Sequence, residues 1–344
     1  MTLTIKILNL KNKMNKETTL GISKLVVRLI IGLVFIVAAI FKLLSIDYFE
    51  IYIYSFNLFG YGLATVLSRL LICAELLLGL GMILKIRYKE VWWLSMLMMI
   101  GFTLFLIYVI AFRNDDNCHC FGELLKLDPK ESIFKNIISG VLLLFVRKEE
   151  DYNFKPRLRK WLIGISIAIA VILPFVVFPM DTVYKMIVSK SNDINTVEFE
   201  NSLNDKYSVF RLNRIEDKVN DTVYMERDTL TPFNIYDGKY FINYVSSGCN
   251  FCKMGTKKLM MILNHNNIDK KNIKFLIWGY EADIIKFMDE TNSADCEYWF
   301  ISPITSLEIT YGKFPSYIWT DNGKLIDSGD LHDLNENKIV EFFK

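Results

Sequence analysis

The sequence predicts an α-helical membrane bundle followed by a soluble α/β domain. Three observations carry that reading. Apolar residues are unevenly spread: residues 21–179 are strongly hydrophobic, whereas residues 180–344 have the mixed composition of a soluble domain. Five apolar runs in the first half approach the roughly 20 residues needed to cross a hydrocarbon core as a helix. The second half alternates strand-like and helix-like segments around a C-x-x-C motif.

A chain of 344 residues has room for two ordinary domains. Its 52% hydrophobic content and mean hydropathy of +0.26 exceed what a purely soluble protein carries. An aromatic content of 14% excludes a disordered chain. A net charge of +2 gives no global basic excess, so no nucleic-acid partner is expected. Residues 1–20 are polar and Lys-rich, without the apolar core of a cleavable signal, and read as a cytoplasmic arm.

The predicted spans are 23–44, 61–84, 91–112, 132–147 and 161–179. The fourth is the shortest, and the fifth ends in a stretch containing Pro174 and Pro179. Basic residues set the orientation. The arm carries Lys6, Lys11, Lys13 and Lys16. The second-to-third connection carries Lys85, Arg87 and Lys89, and the fourth-to-fifth carries Arg147, Lys148, Lys155, Arg157, Arg159 and Lys160. The connection over 45–60 has no Lys or Arg. This alternation puts the N-terminus in the cytoplasm and the C-terminal half on the outer side of the membrane, with the lipid bilayer as a partner. The expected division is an arm at 1–20, a transmembrane domain at 21–148, and a basic loop with the fifth span at 149–179. A linker or sheet extension at 180–236 and an α/β domain at 237–344 follow.

Six cysteines are present, and four form two close pairs: Cys118/Cys120 and Cys249/Cys252. The predicted topology puts both pairs on the outer, oxidising side, where paired thiols cycle as disulfides. From residue 239, KYFINYVSS reads as a strand, followed by Gly248-Cys249-Asn250-Phe251-Cys252 and a helical KMGTKKLMMILNHN. IKFLIWG reads as a buried strand and ADIIKFMDET as a helix. YWFIS, Phe314-Pro315-Ser316, a hairpin with an Asn322-Gly323 turn and a closing helix ENKIVEFF complete the pattern. A C-x-x-C at a helix start leaves the first thiol near unpaired backbone N–H groups that stabilise a thiolate. The second thiol, one turn on, can resolve a mixed disulfide. Cys249 is therefore the candidate nucleophile and Cys252 the candidate resolving thiol. An inert disulfide or half a zinc site is the competing reading.

This order resembles the thioredoxin-like fold over roughly 237–344. The resemblance implies a membrane-anchored thiol–disulfide oxidoreductase domain and matches Pro315 to the family's cis-proline facing the disulfide. Two departures are plain: Gly248 stands where a Trp is usual, and Asn250-Phe251 lacks the common proline.

Asp115-Asp116-Asn117-Cys118-His119-Cys120-Phe121-Gly122 follows the third span, and Lys135-Asn136 opens the fourth. With Arg28, Gly32, Phe35 and Lys42 in the first span and Glu75 in the second, this resembles the methylamine-utilisation protein MauE family, a branch of the DoxX-like four-helix membrane proteins. The resemblance covers about 21–148. It implies a role in maturing disulfide-rich exported proteins beside a thioredoxin-like partner, here fused to the same chain. Fusion raises the effective concentration of one thiol pair near the other.

Charges inside a membrane are rare and usually paired. Glu75 and Arg28 lie at depths of ~13 Å and ~8–9 Å from the same side, so an Arg28–Glu75 pair is expected. Arg69 and Cys73 are four residues apart on one helix face, where the Arg could favour a thiolate; the competing reading of Cys73 is a packed small hydrophobe. His119, protonated, would stabilise a thiolate beside it. Cys296 has no close partner and reads as a spare thiol.

The leading expectation is a membrane thiol–disulfide oxidoreductase. In it Cys249/Cys252 exchange with exported cysteine-containing client proteins, and Cys118/Cys120 exchange with Cys249/Cys252. Two directions of electron flow are open: reduction of clients needs a carrier reaching the cytoplasm, for which only Cys73 lies deep enough, and oxidation, which needs fewer missing parts, requires a lipid-soluble acceptor such as a quinone. The alternatives are a copper- or zinc-handling protein using Cys118, His119, Cys120 and an Asp, and a non-enzymatic assembly factor.

Overall fold

The computed structural model describes residues 2–113, 117, 118, 120–122, 125, 127–181, 183, 184, 194–204, 209–217 and 220–344, with backbone alone over 2–18 and 203–204. The chain forms two compact units, Met1–Ile53 with Leu63–Pro179, and Tyr54–Gly62 with Met180–Lys344.

The first unit is helical. Helix α1 (Thr2–Leu44) runs straight through the Lys-rich arm, because residues 2–20 contain neither Pro nor Gly to interrupt it. A short helix α2 (Ile46–Tyr54) occupies the connection before the second span, and its Ile46 and Phe49 are buried against Ala39 and Leu43. Helix α3 (Tyr61–Leu84) meets α1 at two glycines. A Cβ on Gly32 would stand 2.9 Å from the Gly79 carbonyl oxygen, and a Cβ on Gly79 2.8 Å from that of Gly32. Small residues let the two backbones approach, as is usual between membrane helices.

Helix α4 (Tyr88–Phe112) is tied to the end of α5 (Pro129–Phe145) by two side chains. Trp92 Nε1 donates to the Leu143 carbonyl at 2.7 Å, and the Tyr88 hydroxyl to that of Val146 at 3.0 Å. Both bonds satisfy carbonyls at a helix C-terminus. Asp128 caps the start of α5, accepting from Lys130 N at 2.7 Å with Glu131 completing a capping box, and Pro129 opens the helix.

Among the described residues, four helices are long and apolar enough to cross a membrane: Thr19–Leu44, Tyr61–Leu84, Tyr88–Phe112 and Pro156–Val177. The expected fourth span falls on α5, whose 17 residues are shorter than these. At 1.5 Å per residue it is about 25 Å long, against a core of about 30 Å.

Helix α6 (Pro156–Ile172) continues into a π-helical turn over Leu173–Val177. Pro174 explains the widening: it has no N–H, so the Ala170 carbonyl four residues earlier loses its helical donor. The Cys73 thiol of α3 donates to that carbonyl at 2.9 Å.

The second unit is an α/β domain with a seven-stranded sheet. After helix α7 (Thr196–Asn204) come β1 (Val209–Asp217), β2 (Thr222–Asp228), β3 (Lys239–Ser246), α8 (Asn250–His265) and β4 (Ile273–Trp278). Helix α9 (Glu281–Thr291), β5 (Glu297–Ile301), α10 (Pro303–Thr310), β6 (Ser316–Asp321), β7 (Lys324–Gly329) and α11 (Glu336–Phe343) follow. The strand order is β2-β1-β5-β4-β3-β6-β7. Strands β3, β4 and β5 are parallel, while β6, β7, β1 and β2 join antiparallel. Strands β1 and β2 lie within 180–236 and lengthen the sheet beyond β5. The alternating piece over 182–188 lies largely outside the described residues.

Period-two alternation divides β3. Ile242 and Tyr244 join Leu276, Trp299 and Ile318 in the core on one face. Phe241, Asn243 and Val245 point to the other. At the β6–β7 hairpin, Asn322 (φ 48°) and Gly323 (φ 78°) both take positive φ, as a type I′ turn requires.

Candidate thiol sites

The first thiol pair sits where β3 gives way to α8. Cys249 is the N-cap of α8, and its sulfur accepts the Cys252 N–H at 3.3 Å. Cys249 is half-buried and Cys252 fully buried. This asymmetry splits the two thiols. A hydrogen bond from the Cys252 side chain, reinforced by the backbone N–H groups of Cys252 and Phe251, lowers the Cys249 thiol to about 6. Burial drives the Cys252 thiol far up, and its bond to Cys249 adds to the rise. These opposed shifts favour the thiolate at Cys249 and the protonated thiol at Cys252 at neutral pH.

This geometry fixes a pH dependence. Alkylation of Cys249 by iodoacetamide should rise through about pH 6 and level off by pH 8, read by peptide mass spectrometry. A midpoint near the ordinary thiol value of ~8.5 would contradict it. The dithiol form carries the matching stabilisation above pH ~8.5 and loses it as pH falls towards 6.

Pro315 borders the same helix. Its Cγ lies 3.4 Å from the position a Cβ would take on Gly255, and the Phe314–Pro315 peptide bond is cis. Phe251, between the two cysteines, is exposed. Around Gly248 a Cβ would meet nothing within 4 Å, so the position before Cys249 is open.

The second pair lies in the loop between α4 and α5. Cys118 N donates to the Leu127 carbonyl at 3.0 Å, closing the loop. Its sulfur lies 2.9 Å from the Ser132 hydroxyl of α5 and accepts the Cys120 N–H at 3.2 Å. Bonding from the Cys120 side chain, then from Ser132 and the Cys120 N–H, lowers the Cys118 thiol to about 6 against the cost of burial. The bond to Cys118, with burial, pushes Cys120 up. Lys135 adds positive charge beside both sulfurs and lies 4.6 Å over the Phe121 ring.

The Phe-Gly that follows has a mechanical reason. Phe121 packs edge-on against Phe41 at 6.4 Å. Gly122 takes φ +62° with its Cα against the Ser45 hydroxyl and the Phe41 carbonyl, where no side chain fits. His119, Asp115 and Asp116 lie outside the described residues. Among the described residues no group of three His, Cys, Asp or Glu side chains is placed to hold a metal ion.

The expected Arg28–Glu75 pair does not form. Glu75 pairs with Lys42 of α1, while Arg28 donates to the Met82 and Ile83 carbonyls at 2.8 and 3.1 Å and to the Tyr152 hydroxyl at 2.8 Å. The reason is directional. Side chains on a helix lean towards its N-terminus. Arg28 therefore reaches to the C-terminal carbonyls of α3, and Lys42, further along α1, leans back to Glu75.

Arg69 likewise does not serve Cys73. It leans away along α3, pairs with Glu50 of α2, and donates to the Thr65 and Phe178 carbonyls at 3.0 and 3.1 Å. Cys73 is the donor that satisfies Ala170. Cys73→Ser should keep that bond, whereas Cys73→Ala should lower unfolding stability by about 1 kcal/mol in a detergent melt. A stability loss as large in the Ser variant would contradict this assignment. Cys296 contacts the Met260 sulfur at 3.6 Å, and burial pushes its thiol up to about 12, far from reactive.

Lys42, Glu50 and Ser132 were not singled out as partners from sequence. Their signal was present: Lys42 and Glu50 are charges within or beside apolar runs, and such charges need counterparts.

Residues 20–148 match the family profile of the methylamine utilisation protein MauE. Protein TlpB of Flavobacterium psychrophilum is 26% identical over 340 residues, spanning 86% of this chain and 88% of that protein. Among solved structures, the thioredoxin domain of a thiol-disulfide oxidoreductase from Bacteroides vulgatus aligns at 16% identity and TM-score 0.30, covering 45% of this chain and 99% of that one. StoA from Bacillus subtilis aligns at 12% identity and TM-score 0.29, covering 40% and 97%. With parallel β3–β5, antiparallel β6–β7 and the thiol helix leaving β3, the chain is a membrane protein that joins a helical domain similar to the MauE profile to an α/β domain resembling the thioredoxin-like fold.

Proposed function

We propose that this chain is a multi-pass thiol–disulfide oxidoreductase of a bacterial inner membrane that oxidises exported proteins. One observation carries the reading: the same chemical asymmetry is built twice. In each pair one sulfur is held as a thiolate by the backbone N–H of the other cysteine, and the second thiol stays protonated. An inert disulfide has no need of that polarity.

In the proposed topology α5 completes five crossings, the N-terminus is cytoplasmic, and both thiol pairs face outwards. The arm at 1–20, the helical domain at 21–148, the loop and last span at 149–179, the sheet extension at 180–236 and the catalytic domain at 237–344 are its parts. Electrons enter at Cys249. Its thiolate attacks Cys120, the more exposed sulfur of an oxidised Cys118–Cys120 pair, and Cys118 leaves as the stabilised thiolate. Cys252 then attacks Cys249, and the proton it loses reappears on Cys120. The new Cys249–Cys252 disulfide accepts two electrons from a client dithiol. The reduced outer pair passes two electrons and the Cys120 proton to a lipid-soluble quinone, which takes its second proton from solvent and becomes the quinol.

The test is turnover by the full chain in quinone-containing proteoliposomes, with a reduced cysteine-containing protein as client. Client thiols should disappear with one quinol formed per disulfide, and Cys118→Ser should stop it. Unchanged thiol loss in that variant would overturn the scheme. Labelling of Cys120 and Cys249 by an impermeant maleimide on spheroplasts checks the orientation.

A further inference from the structure

Beneath the thiol helix lies a buried polar pair that the scheme above leaves unused. Asn243 of β3 and Tyr317 of β6 face each other directly in the antiparallel register. Both are buried, at 0% and 1% exposure. The Tyr317 hydroxyl and both polar atoms of the Asn243 amide have no hydrogen-bond partner among the described residues. Buried polar atoms are almost always bonded, and leaving one unpaired costs stability. Three such atoms on one cross-strand pair call for a reason.

Their location supplies it. Asn243 and Tyr317 lie on the sheet face opposite the Ile242, Tyr244 and Ile318 core. The Tyr317 hydroxyl touches Gly255 of α8, where any Cβ would collide with it. Gly255 is three residues after Cys252, so the two share one face of α8. The titratable groups facing Tyr317 are Cys252 and Cys249 on α8 and Asp330 after β7. A donor without an acceptor thus lies next to the one thiol that must ionise in an apolar setting.

Resting on the reading of Cys252 as the resolving thiol, we infer that the Tyr317 hydroxyl and the Asn243 amide are hydrogen-bond donors held in reserve for the Cys252 thiolate. In the dithiol state they have no acceptor. When Cys252 loses its proton to attack the mixed disulfide at Cys249, an acceptor appears on the α8 face that the Tyr317 hydroxyl meets. A sulfur–sulfur bond forms between Cys252 and Cys249, the Cys249–Cys120 bond breaks, and the Cys120 sulfur takes up the proton that Cys252 gave to solvent. Donors fixed in advance of the charge they receive are the arrangement that lowers a barrier without reorganisation.

Two-stage reaction with Ellman's reagent separates the steps. The full chain in nanodiscs, carrying Cys73→Ser, Cys118→Ser, Cys120→Ser and Cys296→Ser, should release one thionitrobenzoate as Cys249 attacks and a second as Cys252 resolves. Tyr317→Phe and Asn243→Leu should leave the first phase within twofold and slow the second about tenfold or more, as expected for a lost bond to a charged group. The pH midpoint of the second phase should move up. Tyr317→Phe should also melt no lower than the parent, since it deletes an unsatisfied buried hydroxyl. An unchanged second phase in the Tyr317→Phe/Asn243→Leu double variant would overturn the inference, as would equal slowing of both phases. Absence of the first phase in the parent would instead defeat the assignment of Cys249.

Discussion

Cys249→Ser should reduce client oxidation by about 10³-fold or more, the scale on which loss of a nucleophile acts. A serine hydroxyl stays protonated at neutral pH, whereas the Cys249 thiol, lowered to about 6, is ionised there. Nothing else in the second unit can substitute. Cys252 is fully buried with its thiol driven up, and Cys296 is likewise held protonated by burial. The measurement is client thiol loss per quinol formed in proteoliposomes, with folding followed by the thermal midpoint of the same sample. Residual turnover at a tenth of the parent rate would show a second entry point for electrons.

The second large effect concerns stability. Lys42 and Glu75 form an ion pair buried on both sides between α1 and α3, and Lys42 also lies 5.6 Å over the Phe49 ring and 5.5 Å over Phe102. Removing one partner leaves a charge with no counterpart in an apolar setting, which costs about 3–5 kcal/mol. Lys42→Met and Glu75→Leu should each lower unfolding stability in detergent by about that amount. The Lys42→Met/Glu75→Leu double variant should recover most of it, because packed apolar side chains replace such pairs at little cost. Additive losses in the double variant would show that the two residues act separately. The pair also bears on the Cys118 and Cys120 thiols, since Lys42 adds positive charge near Cys120.

The soluble domain was the more legible half, and its residues show why. β3 over Lys239–Ser246, the thiol helix from Asn250 and the Asn322-Gly323 turn each rest on local signals: alternation, a cap and an obligatory positive φ. The addition of β1 and β2 depends on pairing with β5 across about ninety residues of chain, as in Val209 opposite Ile301, and no local signal carries that. In the helical unit four of the five expected spans fall on helices long and apolar enough to cross a membrane, but the partners of their charges were not legible. Depth alone suggested Arg28 for Glu75. The tilt of side chains along α1 instead delivers Lys42, and the tilt along α3 carries Arg69 to Glu50 of α2. Cys73 shows the same limit: its role depends on Pro174, a hundred residues away, freeing the Ala170 carbonyl.

The central claim is that the two thiol pairs exchange electrons, and a trap tests it most directly. Cys252→Ser removes the resolving thiol, so a disulfide formed at Cys249 persists. The full chain carrying this substitution, expressed in a bacterial envelope and mapped by mass spectrometry without reduction, should contain Cys249 joined to Cys120 with Cys118 free. Cys249 found only as a free thiol, while Cys118 and Cys120 remain joined to each other, would contradict the relay.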